Sequence, residues 1–203
     1  MVFELPFLVN AFVLLGIERI LYSFWFIYPQ CFIAAVRQGT FGNEIRKEPL
    51  IWKAAQKLGV KVKVFQFSVI IYDLIVQCVI NKSEFNVDLP VLLLGIFLIV
   101  IGQGLNVAVF NALGGIGVYY GYEFGYAVKM VTCFPYNVSW ISDPQYIGVV
   151  MTIWGIYLVA GATDFSVPLL ETFWYGMSMK VLEHNRGRNF VRSIYGEDNP
   201  KTV

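Results

Sequence analysis

Residues 89–113, LPVLLLGIFLIVIGQGLNVAVFNAL, run for 25 positions without a charge. About 20 predominantly apolar residues in a helix cross the hydrocarbon core of a bilayer, so this stretch alone reads as a membrane span. Four other stretches share its character: Phe7–Tyr28, interrupted by Glu18 and Arg19; 63–80, with one acid at Asp73; 144–162, uncharged; and Phe165–Leu182, carrying Glu171 and Lys180. Pro90, Pro144 and Pro168 each stand near a helix start, where the missing N–H costs nothing, and Pro29 ends or kinks the first segment. The chain is 57% hydrophobic and 14% charged, against about 25% charged for soluble domains. That composition excludes disorder and collagen-like repeats, and the spans exclude a soluble binding module. The expectation is a single all-α domain over 1–203: a polytopic integral membrane protein with four to five membrane-embedded helices.

Charge placement orients the spans. Of 15 Lys and Arg, seven lie in 37–63 against Glu44 and Glu48, net +5, whereas Lys82, Glu84 and Asp88 leave 81–88 at −1. Positive residues mark the cytosolic side, so 37–63 is expected in the cytosol and 81–88 across the membrane. Five spans then put the N-terminus outside, and the 114–143 loop and the tail from Glu183 inside. Of two N-x-S sequons, only Asn81-Lys82-Ser83 would face a glycosylating lumen. The first segment lacks a basic n-region (Glu4 is the only charge in 1–7) and an A-x-A-like site, so it reads as a retained span rather than a signal peptide. A formal charge of +1 gives no reason to expect nucleic acid. Cys31, Cys78 and Cys133 share no CxxC spacing, so neither a zinc site nor a disulfide framework is expected.

The polar and glycine-rich features converge on the cytosolic edge. LGGIGVYYGYEFG, 113–125, holds Gly114, Gly115, Gly117, Gly121 and Gly125, poor helix material at up to about 1 kcal/mol each relative to alanine. It serves either tight helix packing or a backbone wall for a flat ligand; Tyr119, Tyr120, Tyr122, Tyr126 and Glu123 tilt it slightly toward a ligand. It lacks the strand and downstream acid of a soluble dinucleotide fingerprint. Gly102 and Gly104 break the third span beside Gln103 and Asn106, which share a helix face as packing polars or ligand contacts. TCFPYN (132–137) and DPQY (143–146) form a broken aromatic loop. There Asp143 occupies an N-cap position, and Tyr146 points either to the headgroups or into a cavity. KVLEHNRGR, 180–188, closes the fifth segment and contains His184, the sole histidine. Its Arg186 and Arg188 either touch anionic lipid or serve a site. Asp73 and Glu171, acids inside spans, are functional candidates by default.

Taken in order, Gly102-Gln103, ALGGIGVYYGYEFG, VTCFPYN, DPQYIG and LEHN resemble the phospholipid N-methyltransferases over about residues 88–190, with an echo at Tyr28-Pro29-Gln30 through Arg37. The wording is nearer the short plant-like branch than the animal enzyme. The resemblance implies S-adenosylmethionine as cofactor and the amine of phosphatidylethanolamine, or of its mono- and dimethyl derivatives, as acceptor. The family's Gly-x-Gly falls on Val100, Ile101 and Gly102, losing its first glycine, and its paired acids fall on Glu183 and His184, losing the second. Its GDYFG reads Gly121-Tyr122-Glu123-Phe124-Gly125. On this basis the cofactor contacts are Val100, Ile101, Gly102, Gly115, Gly117, Tyr119, Phe134, Pro135, Glu183 and His184. Catalytic roles fall to Glu183, His184 and Tyr146. Arg186, Arg188 and Glu123 are expected to hold the lipid. The expected partners are a membrane phospholipid and the bilayer itself, with a homo-oligomer possible; the expected home is the endoplasmic reticulum, or the inner membrane of a bacterium. No metal ligand set is visible. The alternatives are a methyltransferase for a prenylated cysteine carboxylate and a non-catalytic lipid-binding or channel scaffold, the last disfavoured because the polar groups cluster at one edge.

Overall fold

The computed structural model describes residues 5–80, 87–128, 131–138, 141 and 143–195, with no side chains described for 5–8, 80 and 181–195. All the regular structure among these residues is helical: α1 (Leu5–Ile27), α2 (Pro29–Gln38), α3 (Asn43–Arg46), α4 (Ile51–Ile75), α5 (Leu89–Val118), α6 (Pro144–Val159) and α7 (Ser166–Tyr195). A π-helical turn, Val76–Ile80, extends α4. Within them, Val9–Ile27, Ile51–Val79 and Leu89–Val118 are each long and apolar enough to cross a membrane, and α6 is a shorter apolar helix. The protein is polytopic in the membrane. The uncharged run at 89–113 lies inside α5, Pro144 starts α6, and α1 ends two residues before Pro29, as the sequence predicts; Pro29 also opens a further helix, α2.

The basic segment 37–63 is helical rather than a loop. Ile51, Ala54, Ala55 and Gly59 are buried, while Lys53, Lys57 and Lys61 recur every fourth position on the exposed face. That is the 3.6-residue period of an amphipathic helix, so α4 begins 12 residues before its apolar stretch at 63. Lys57 pairs with Glu48, and Lys61 with Glu44 at 2.8 Å. Arg37 donates to the Glu48 and Pro49 carbonyls at 3.3 Å, so these contacts tie α2 and α3 to α4.

Helix α5 packs along α6, and glycines set the distance. A Cβ on Gly148 would lie 2.6 Å from the Gly102 oxygen, and one on Gly155 2.6 Å from the Gly95 oxygen. Small residues let membrane helices approach this closely, which suits association without a hydrophobic driving force. Helix α1 packs between α7 and α4. Gly16 lies beneath the Trp174 ring, and the Trp174 indole N–H donates to the Phe12 carbonyl at 2.9 Å. By contrast α4 and α5 scarcely touch, leaving a cleft. At one end of the bundle Trp25, Phe32, Val36, Ile51 and Ala54 form an aromatic-rich core beneath Tyr119 and Tyr120. At the other, Tyr157 and Gln77 donate to the buried Asp73 carboxylate at 2.6 and 2.9 Å, and Gln77 also bridges to the Asp164 carbonyl.

Candidate active site

A cavity of about 510 Å³ lies at the basic end, walled by α1, α4, α5, α6 and α7. Its foot is ionic. Glu18 and Arg19 leave α1 side by side and pair at 2.5 Å, and Lys63 reaches Glu18 at 2.6 Å from α4. The Lys63 ammonium also donates to Tyr175 at 2.7 Å and to Gln66 at 3.0 Å. Gln66 in turn donates to Glu171 at 2.7 Å, one layer behind the wall. The Arg19 guanidinium stands over three rings, those of Tyr175, Tyr146 and Tyr22, at 4.1, 4.8 and 4.9 Å. Cation–π contact of this kind strengthens as water is excluded, and Arg19 is 2% exposed.

These residues meet because they share the inner faces of their helices. Glu18 and Tyr22 lie i,i+4 on α1, and Gly59 and Lys63 do so on α4. Gly59 makes room for the neighbouring helix, since a Cβ there would lie 2.6 Å from the Tyr22 hydroxyl. The charges lining the cavity among the described residues are Glu18, Arg19 and Lys63, a net +1. Above them the wall is amide and phenol. Gln103 donates to Thr152 at 3.1 Å, and the Tyr120 and Tyr146 hydroxyls share a hydrogen bond at 2.9 Å. Tyr119 and Tyr120 follow the end of α5, and burial pushes both hydroxyls above the ordinary phenol range, helped by nearby Glu18 and Tyr146 respectively. Both therefore remain hydrogen-bond donors at physiological pH. Pockets of this size with an apolar wall and a few convergent polar groups are the usual form of a small-molecule site.

The pattern of the phospholipid methyltransferase family matches residues 90–198, more than half of the chain. The chain belongs to the phospholipid methyltransferase family. It is also 46% identical over 56 residues to the phosphatidyl-N-methylethanolamine N-methyltransferase of Arabidopsis thaliana, a stretch covering 28% of this chain and 33% of that protein. That similarity thus spans about a third of the relative's length. No solved structure matches the chain.

Within this family member, the structure brings together only some of the residues singled out from sequence. Tyr119 and Tyr146 line the cavity, with Gln103 and Asn106. Gly102 is buried in the α5–α6 seam against Gly148 and Thr152, whereas Val100 and Ile101 are 62% and 40% exposed on the outer face of α5. Gly115 rests against Trp52, and Gly117 against Leu113 and Val128. Phe134 is 54% exposed, Pro135 is buried and Glu123 is half-buried; none of the three lines the cavity. Glu183, His184, Arg186 and Arg188 continue the backbone of α7, and their side chains lie outside the described residues.

Sequence reasoning missed Lys63, Tyr22 and Tyr175 as wall residues. Lys63 was counted with the basic loop, although a cation four positions after Gly59 on an apolar helix face was the available signal. Glu18 and Arg19 were visible as interruptions of a span; their meeting with Lys63 was not. The glycine-rich stretch is helical as far as Val118, with non-helical backbone at Gly114 (φ 65°, ψ 175°) that redirects Tyr119 and Tyr120 over the cavity.

Proposed function

We propose that the protein transfers methyl groups from S-adenosylmethionine to the headgroup amine of phosphatidylethanolamine, of its mono- and dimethyl derivatives, or of both. Family membership over 90–198 carries this reading, and the similarity to the Arabidopsis enzyme supports it. The donor set of the cavity fits the cofactor. The rings of Tyr119 and Tyr120 suit a flat base, and the amides of Gln103, Asn106 and Gln145 suit hydroxyl and amino groups. When bound, S-adenosylmethionine supplies an electrophilic methyl. The remaining work is alignment, and holding reactants in line is where enzymes of this kind gain most of their rate.

The acceptor amine must lose a proton before it can attack. A wall carrying net +1 disfavours an ammonium beside it and favours the neutral amine, because a like charge penalises the charged form. Glu18 is held by two cations that stabilise its charged form, so it serves to fix Arg19 and Lys63 rather than to take the proton. His184 and Glu183, one turn beyond the last described side chain of α7, are the candidates for proton acceptor and cofactor carboxylate.

The same reading orients the protein. The basic faces of α2, α3 and α4 and the Tyr119–Tyr120 wall of the cavity share one end of the bundle, which the positive-inside bias assigns to the cytosol, where a charged cofactor is available. Five crossings, with α6 and α7 as the last two, give this arrangement. The endoplasmic reticulum, or the inner membrane in a bacterium, would be the host membrane.

A labelled-methyl assay tests the reading, using purified protein and each of the three acceptor lipids with product identification. Label in a methylated phospholipid is the expected result. No label in any of the three lipids, with label entering a prenylated cysteine peptide, would overturn it.

A further inference from the structure

Arg19 keeps donors in hand. Its Nη2 pairs with Glu18, but Nε and Nη1 meet no hydrogen-bond partner among the described residues, although the residue is 98% buried and lines the cavity. An unsatisfied buried donor is costly, and more so when it is charged, so this arrangement suits a ligand that accepts from it. The three surrounding rings fix the guanidinium before any ligand arrives, and a pre-organised group loses little freedom on binding. Guanidinium is the side chain best matched to carboxylate and phosphate oxygens. The net +1 of the charged lining favours the same ligand chemistry, an oxyanion.

The shape of the cavity selects among oxyanions. It reaches the cleft between α4 and α5, where Val60, Val64 and Phe110 line it while remaining 49%, 62% and 40% exposed. These helices are membrane-crossing, so the apolar mouth opens sideways to lipid. An ionic foot below an apolar side door matches an amphiphile whose anionic group sits directly beneath its chains. We infer that Arg19 receives the phosphodiester of a membrane phospholipid whose acyl chains leave through the α4–α5 cleft. This rests on the phospholipid methyltransferase reading for the identity of the lipid. The competing oxyanion is the carboxylate of the methyl donor, and the two are separable.

The test uses the full-length protein in neutral detergent and reads retention of dioleoylphosphatidylethanolamine against dioleoylglycerol, which has the same chains and no phosphate, by native mass spectrometry. Equilibrium binding of labelled S-adenosylmethionine is measured in parallel on the wild type, Arg19→Gln and Arg19→Lys. Glu18 keeps Lys63 as partner in the glutamine variant, so no buried carboxylate is stranded. The wild type should prefer the phospholipid at least ten-fold. Arg19→Gln should reduce that preference below two-fold and Arg19→Lys to an intermediate value, with donor affinity held within three-fold. An unchanged lipid preference overturns the assignment. So does a ten-fold loss of donor affinity with lipid preference kept, which would give Arg19 to the donor carboxylate. If the glutamine variant does not fold, the lysine variant decides, and wild-type preference there refutes the inference. Arg19-dependent lipid retention without methyl transfer would sink the methyltransferase reading and leave the subsite standing. Methyl transfer with unchanged lipid preference in Arg19→Gln would do the reverse.

Discussion

Replacing Gly102 by alanine separates two readings of one residue: spacer in a helix seam or contact for a cofactor. A Cβ at 102 would stand 2.6 Å from the Thr152 hydroxyl and 3.0 Å from the Thr152 nitrogen, and nearer still to the Gly148 carbonyl. Two of these three are backbone atoms of α6, so a rotamer change cannot absorb the clash. Restoring an ordinary contact to the Gly148 carbonyl requires α5 and α6 to part by about 1 Å, a gap that forfeits up to about half of each affected dispersion contact. Overpacking of this kind costs typically 1–3 kcal/mol, and alanine returns about 1 kcal/mol in helix propensity. Because the clash is largely with backbone, the upper part of the range applies, and the net loss is about 2 kcal/mol. At about 2–4 °C per kcal/mol for a chain of this length, the melting temperature in detergent should fall by about 4–8 °C. Gly104→Ala is the control, since nothing lies within 4 Å of a Cβ there; it should leave the melting temperature unchanged or raise it slightly. Gly148→Ala should resemble Gly102→Ala, and the double variant should cost less than the sum, because helices already parted by one methyl have room for the other. A Gly102→Ala protein that melts like the Gly104→Ala control but no longer binds S-adenosylmethionine would refute the packing argument and return Gly102 to the cofactor.

Other perturbations probe the remaining contacts. Tyr157→Phe removes a 2.6 Å donor from the buried Asp73 carboxylate and should destabilise by about 1–3 kcal/mol, measured by thermal melting; Asp73→Asn in the same background should recover part of that loss. Glu18→Gln strands Lys63 and Arg19 together and should cost about 3–5 kcal/mol, whereas adding Lys63→Met to it should be milder than Glu18→Gln alone. Lys61 holds the Glu44 carboxyl below its ordinary value, so this pair stabilises above the ordinary carboxylate range and its contribution is lost as pH falls through the lowered value. Because Glu44 is fully exposed, Glu44→Gln at neutral pH and physiological salt should leave the melting temperature within error. In microsomes, a glycan engineered or native at Asn137 would place the 114–143 segment in the lumen and overturn the proposed orientation; the acceptor should stay unmodified.

What the sequence made legible follows from which physics is local. The uncharged run at 89–113 announces a membrane helix because twenty apolar residues have few other homes, and Pro29 marks a helix end and Pro144 a helix start through their own ring geometry. The beginning of α4 was hidden for a related reason. Its first turns carry Lys53, Lys57 and Lys61, which average to a polar segment when composition is read along the chain, and only their four-residue spacing betrays an amphipathic face. The site was harder. Tyr119 and Tyr146 could be named because they sit in unusual motifs, yet Tyr22 and Tyr175 look like any aromatic in a span. Tyr22 stands three positions after Arg19 on α1, a spacing that puts the two side by side, but what gathers Tyr175 to the same wall is that guanidinium 4.1 Å away on another helix, and no spacing within α7 encodes that.

The distribution of charge in the cavity bears on how the two halves of the chain divide the work. The family pattern begins at residue 90, and it contributes the amides of Gln103 and Asn106, the phenols of Tyr119, Tyr120, Tyr146 and Tyr175, and the acid Glu171. Among the described residues, the charges that line the cavity, Glu18, Arg19 and Lys63, all come from before it. An ion pair placed in a span is expensive to bury and is retained there when it does something that apolar packing cannot. Glu18 alone would draw any cation, including the protonated amine that cannot react. Two cations on that one carboxylate reverse the preference, so that the same wall attracts an anionic phosphate and penalises the ammonium. Among the described lining residues, the fixed positive charge thus comes from the N-terminal helices, while the matched half supplies the amides and phenols around it.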